Sequence, residues 1–191
     1  MEKILENVLS HMKSRGIVGE GEEDVYRFGL ECMLLEVIHY SSYFVISVMF
    51  RMMIPMLVSA LVLIPLRRKP GGFHARTRMG CYLFSCTVVA IVCLLNKIIF
   101  PLWLCVIVLL VANVIVAWFA PVENENRLLD WAERRRFRKQ ALVILMVANV
   151  IIIISGIAGW EVFQWLLNGV IIATQLTLLG KLQNGLLARR V

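Results

Sequence analysis

Charge is what this sequence has least of. Charged residues make up 17% of its 191 residues and hydrophobic residues 60%. A soluble domain sits nearer a quarter charged and half apolar. The deficit is concentrated. Met79–Asn96, Ile98–Val122, Gln140–Trp160 and Val162–Gly180 contain no charged residue. Each is long enough for a helix to cross a hydrocarbon core of ~30 Å. None shows the polar face that a soluble surface helix repeats every turn. An ordinary soluble fold is excluded.

Other absences narrow the function. The cysteines are five (Cys32, Cys81, Cys86, Cys93 and Cys105), an odd number with no C-x-x-C pair. Three of them lie in apolar runs, where cysteine behaves as a small hydrophobe, so a disulfide framework is not expected. There is no H-E-x-x-H, and one histidine beside one cysteine gives too few ligands for zinc; no metal or other cofactor is expected. No Walker motif supports ATP-driven transport by this chain alone, and no G-x-S-x-G elbow is present. The net charge of +7 comes without zinc-finger spacing or an RNA-binding signature, so nucleic acid is not the expected partner. The start, MEKILENVLSHMKSR, lacks the apolar core of a signal peptide.

What is present reads as one all-α integral membrane domain with about six transmembrane helices. Residues 1–15 place Ile4, Leu5, Val8, Leu9 and Met12 on one helical face. That pattern predicts an amphipathic helix on the membrane surface or against the bundle. GIVGEGEED then breaks the helix. Residues 25–66 hold two shorter runs on either side of Arg51. They read as two tilted or partly embedded helices, the second ending at Pro65. His39, one turn after Glu36, reads as half of a buried polar pair. Spans are expected over 79–96, 98–120, 140–158 and 162–180, with loops at 67–78 and 121–139.

Basic residues set the orientation. Arg67, Arg68, Lys69, Arg76 and Arg78 crowd one loop; Arg127, Arg134, Arg135, Arg136, Arg138 and Lys139 crowd another; Lys181, Arg189 and Arg190 lie in the tail. The alternate loops hold little beyond Arg51, Lys97 and Glu161. The positive-inside rule puts the rich loops and both termini of a cell-membrane protein in the cytoplasm, beside anionic lipid headgroups.

The loop RRKPGGFHARTRMGC holds the residues with chemistry. Cys81 follows His74 by seven residues. On a straight helix that is a rise of ~10.5 Å, too far for a thiol–imidazole hydrogen bond of ~3–3.5 Å. If the two cooperate, the chain must turn between them, and Pro70 with Gly71-Gly72 supplies the break. Arg76, Arg78 and helix N-terminal amides would then favour a thiolate on Cys81, with His74 as general base and later acid. Read from the residues alone, a buried structural cysteine beside a loop histidine is the favoured alternative, since a Cys–His pair without a third partner is a weak signal. Cys86 is a rival nucleophile, but five residues turn it about 140° from Cys81. Ser85, one turn beyond Cys81, either orients a group in the site or packs between helices.

The motif resembles that of the accessory gene regulator B family, membrane cysteine endopeptidases of peptide quorum sensing in Gram-positive bacteria. The similarity rests on RRKPGGFHARTRMGC and extends to APVENENRLLDWAERRRFRKQ, the second basic stretch, and to length and span count. The resemblance implies Cys81 as nucleophile, His74 as general base, and Arg67, Arg68 and Gly72 as further residues the loop needs. It implies a short precursor of the accessory gene regulator D type, with an amphipathic helix, a signal segment and an acidic tail. The enzyme removes the tail, holds the signal segment as a thioester, and releases it as a thiolactone or lactone. Arg134, Arg135, Arg136, Arg138 and Lys139 are candidates for docking the acidic tail. A homodimer is the expected assembly, with small residues of the spans at its interface. The competing classes are a non-catalytic peptide transporter and a structural membrane subunit. A transporter would more often show broken helices in repeated halves, and no such repeat is visible.

Overall fold

The computed structural model describes residues 2–19, 21–68, 77–122 and 129–188. Within them the chain is all helix: α1 (Glu2–Ser14), α2 (Glu23–Met49), α3 (Met53–Arg68), α4 (Arg78–Leu95), α5 (Leu102–Phe119), α6 (Trp131–Ile157) and α7 (Val162–Ala188). Five of these, α2 and α4 to α7, are long and apolar enough to cross a membrane. The sixth apolar helix, α3, has 16 residues, a rise of ~24 Å that falls short of a full hydrocarbon core. The chain is an all-α membrane protein, and its six apolar helices agree with the expected architecture.

The chain divides into two compact units, Met1–Val45 and Ile46–Val191. In the first, α1 buries Leu5 but leaves Ile4 and Val8 exposed. Gly16, at φ +68°, ends the helix: its N–H reaches Lys13 O, and Ile17 N–H reaches Met12 O. This is the paired closure that a left-handed residue makes at a helix C-terminus. Lys13 forms an ion pair with Glu23 at the start of α2. The buried pair expected of Glu36 and His39 is not found. Glu36 is exposed, and His39 is half-buried and packs on Tyr43 with ring centroids 5.9 Å apart. Tyr43 lies one turn from His39 on α2, so an aromatic neighbour takes the place foreseen for the carboxylate.

The second unit is built around α7. Of its apolar window, 61% is buried, against 28% or less in the other candidate spans. It packs on α3, α4, α5 and α6, and most extensively on α3. The α3–α7 approach is close enough that a Cβ on Gly169 would lie 2.4 Å from Ser59 O. In lipid, helices gain little from hiding apolar surface, so close backbone packing and interhelical hydrogen bonds hold them together. Both are present here. Ser59 Oγ donates to Trp165 O (2.8 Å) and accepts from Asn96 Nδ2 (3.0 Å), and Asn96 Oδ1 accepts from Asn168 Nδ2 (2.8 Å). Gln164 Nε2 donates to Ile98 O. Asn113 and Asn149 exchange amide hydrogen bonds of 3.1 and 2.5 Å between α5 and α6.

Four element boundaries differ from the sequence expectation by three residues or more. The span expected from 98 begins at Leu102. The run ending at Pro65 continues to Arg68. Pro65 has no N–H to give the ladder, yet the helix runs on through it for one more turn, and neighbouring Leu66 is 1% exposed. The last span, expected to end at 180, continues in α7 to Ala188. The stretch expected as a loop through 139 is helical from Trp131. Asp130 caps that helix, its Oδ1 accepting from Glu133 N–H at 2.6 Å. Asp at the N-cap with Glu three residues on is the acidic counterpart of a capping box.

Candidate active site

The hydrogen bonds fix which residues share an end of the Ile46–Val191 bundle. Asn96, at the C-cap of α4, meets Ser59 in the first half of α3 and Asn168 near the start of α7. Cys81 lies fifteen residues earlier on α4, ~22 Å away along the axis. The start of α4 therefore lies with the end of α3. Arg138, in the second turn of α6, donates from its guanidinium to Ala117 O in the last turn of α5 (3.2 Å). Arg67, Cys81 and the basic turns of α6 thus belong to one end of the unit, and the amide cluster to the other.

Cys81 is placed by a well-formed helix start. Thr77 is the N-cap, at φ −114° and ψ 149°, and its Oγ1 accepts from Gly80 N–H at 3.0 Å. Cys81 N–H makes the first backbone bond of the ladder, to Thr77 O at 2.9 Å. The thiol is therefore carried in the first turn, where the helix dipole favours any negative charge that forms. Cys81 also heads a stripe. Ser85, Val88 and Val92 follow it at helical spacing, and all three are buried. Cys81 itself is half-buried, so it sits where the bundle-facing side of α4 emerges. Cys86 is also half-buried, but it is turned ~140° around the helix. Cys93 and Cys105 are buried.

His74, Gly72 and the rest of 69–76 lie outside the described residues; α4 begins four residues after His74. Arg67 and Arg68 end α3, and the cationic side chain of Arg67 suits a helix C-terminus. Arg67 is half-buried.

The basic run of α6 does not form one patch. Ala141, Leu145, Ala148 and Ile152 make the buried stripe of this helix. At 3.6 residues per turn, Arg134 lies within ~20° of that stripe and Arg138 within ~60°, whereas Arg135, Arg136 and Lys139 lie ~120° or more away. All five side chains are exposed. Arg134 and Arg138 therefore stand above the bundle, and the other three stand outside it.

The sequence reading passed over two groups. One is the set of amides and the serine inside apolar runs (Ser59, Asn96, Asn113, Asn149, Asn168). The signal was available, because a polar side chain within a membrane segment is costly and normally has a partner. The other is Thr77, whose small hydroxyl just before an apolar run is an N-cap signature.

The family model described as accessory gene regulator B matches residues 2–180 of the chain. No curated protein and no solved structure matches it.

Proposed function

From the premise that the chain belongs to the accessory gene regulator B family, we propose that it is a membrane cysteine endopeptidase that processes and cyclises a quorum-sensing peptide precursor. The family places it in a peptide quorum-sensing system. The observation that carries the enzymatic reading is the position of Cys81, in the first turn of an apolar helix and at the head of its bundle-facing stripe.

The chemistry follows from that position. His74 takes the thiol proton, and Cys81 Sγ attacks the carbonyl that joins the signal segment to the acidic tail. The peptide C–N bond breaks, and the imidazolium returns its proton to the departing amine. The signal segment is left as a thioester on Cys81. A cysteine or serine within that segment then attacks the thioester carbonyl, closing the ring and releasing Cys81 as the thiolate. The exchange of one thioester for another is close to thermoneutral, so the ring is not a costly product. Forming the first thioester from an amide is uphill, and departure of the tail pulls it forward.

Two physical features favour cyclisation over hydrolysis. A half-buried sulfur at the mouth of an apolar helix limits the access of water. A segment held at both ends presents its internal nucleophile at high effective concentration. Arg67, Arg68 and Gly72 support the loop that carries His74. Arg134 and Arg138, on the bundle side of α6, are the better placed of the basic residues to hold the acidic tail. The basic end of the bundle is the cytoplasmic one by the positive-inside rule.

Co-expression of the chain with its precursor, followed by mass spectrometry, tests the reading. The wild type is expected to yield a free tail fragment and a ring lighter than the linear segment by one water. The Cys81→Ala variant, inserted normally in membrane, is expected to leave the precursor intact. Normal processing by that variant would remove the peptidase assignment from this residue.

A further inference from the structure

We propose that the outward face of the first turns of α6, formed by Arg135, Arg136 and Lys139 and bordered by Trp131, is a docking surface for anionic phospholipid headgroups. It is separate from the tail-docking pair Arg134 and Arg138. Only the role of that pair rests on the function proposed above.

Four observations carry this. The first is angular: Arg135, Arg136 and Lys139 lie ~120° or more from the buried stripe of α6, and all three are exposed. A peptide held at Cys81 is held at the head of a bundle-facing stripe, so this face is turned away from it.

The second is length. The 27 residues of α6 rise ~40 Å, which matches the hydrocarbon core together with its headgroup layers rather than the core alone. Counting ~20 residues back from Ile157 fills the hydrocarbon. The basic turns are then left at headgroup level.

The third is the aromatic neighbour. Trp131 is 74% exposed, and the Arg135 guanidinium lies 5.5 Å from the centre of its ring. An exposed tryptophan beside a cation is the side-chain pair that suits a membrane–water interface.

The fourth is electrostatic cost. The first two turns of a helix carry the positive end of its dipole and disfavour cations. Nonetheless α6 places three arginines in succession there, with Glu133 as the acid of the first turn. The helix gains no stability from this arrangement. Phosphate groups outside the helix favour Arg135, Arg136 and Lys139, at a gain on the order of fivefold in binding per basic residue near an anionic surface.

The experiment uses the full chain extracted with equimolar phosphatidylglycerol and phosphatidylcholine, with retained lipids counted by native mass spectrometry. Wild type is expected to retain phosphatidylglycerol preferentially. Arg135→Gln/Arg136→Gln/Lys139→Gln is expected to lower that preference by about tenfold or more, whereas Arg134→Gln/Arg138→Gln should keep it. An unchanged preference in the triple variant overturns the proposal. An equal loss in the double variant overturns the division of the helix into two faces.

A second readout is independent of how well the triple variant folds. The Trp131 fluorescence of the wild-type chain, taken as the difference from Trp131→Phe, is expected to be quenched more by brominated phosphatidylglycerol than by brominated phosphatidylcholine. Equal quenching by both would contradict the proposal. Precursor cleavage separates the two readings. Loss of cleavage in the triple variant with lipid preference intact would assign this face to the peptide instead. Full cleavage in the double variant would remove the tail-docking role and leave the lipid result standing.

Discussion

The two ends of the Ile46–Val191 bundle are built from different materials. At one end Ser59, Asn96 and Asn168 lock three helices with desolvated amide and hydroxyl hydrogen bonds, and Gly169 lets two backbones touch. At the other end stand Cys81 in the first turn of α4, Arg67 at the end of α3 and the basic turns of α6. The first end ties its helices through polar groups, of which Ser59 and Asn168 are fully buried and Asn96 half-buried, and interhelical hydrogen bonds of this kind hold membrane helices together. The second puts charge and a nucleophile where a helix start meets the membrane edge. The comparison teaches that this fold separates its stability from its chemistry by the length of one helix, ~22 Å along α4.

That separation can be broken deliberately. The largest effect is expected from Cys81→Ala, with precursor cleavage abolished and the thermal midpoint in detergent unchanged. His74→Ala is expected to slow cleavage by ~10²–10⁴-fold, the range for loss of a general acid–base group, while precursor binding in a pull-down persists. Unchanged turnover would remove His74 as the base. At the opposite end the pattern should invert. Gly169→Ala forces a Cβ against Ser59 O and is expected to destabilise the bundle by about 1–3 kcal/mol. Gly185→Ala on the same helix meets nothing within 4 Å and should leave stability unchanged. Denaturation in mixed micelles would measure both, and equal effects would contradict the close approach of α3 and α7. The smallest effect is expected from Asn168→Ala, about 0.6–2 kcal/mol of stability, with cleavage nearly as in wild type. Asn168 Oδ1 has no hydrogen-bond partner, so removing the side chain also relieves a desolvated group. A large loss of cleavage in Asn168→Ala at intact stability would show that the two ends are coupled.

Much of the fold was legible because lipid imposes a simple rule. A run without charge must be a helix that satisfies its own backbone, and each of the four clean runs coincides over most of its length with one helix of the structure. The helix over Trp131–Lys139 was missed because its arginines suggested a solvated loop. The cap Asp130 and Glu133 carried the contrary signal, and a helix can continue past the membrane edge as long as its side chains stay hydrated. Pro65 was given too much weight: a proline removes one hydrogen bond from the ladder, and here α3 continues past it to Arg68. The amide cluster was illegible in a different way. Asn96 and Asn168 are 72 residues apart, and their meeting depends on how α4 and α7 pack, which no local pattern encodes. The candidate nucleophile was legible from its motif, whereas its place at the head of a buried stripe required knowing which face of α4 turns inward.

The central claim is that Cys81 carries the signal segment as a thioester. It is tested most directly with a precursor whose internal cysteine or serine is replaced by alanine, so that the ring cannot close. Incubated with the full chain in membrane and analysed by intact and peptide mass spectrometry, the protein should gain the mass of the signal segment without its tail. The added mass should be lost on treatment with hydroxylamine and should map to Cys81. Release of the tail with Cys81 unmodified, or an adduct on Cys86 instead, would contradict the account.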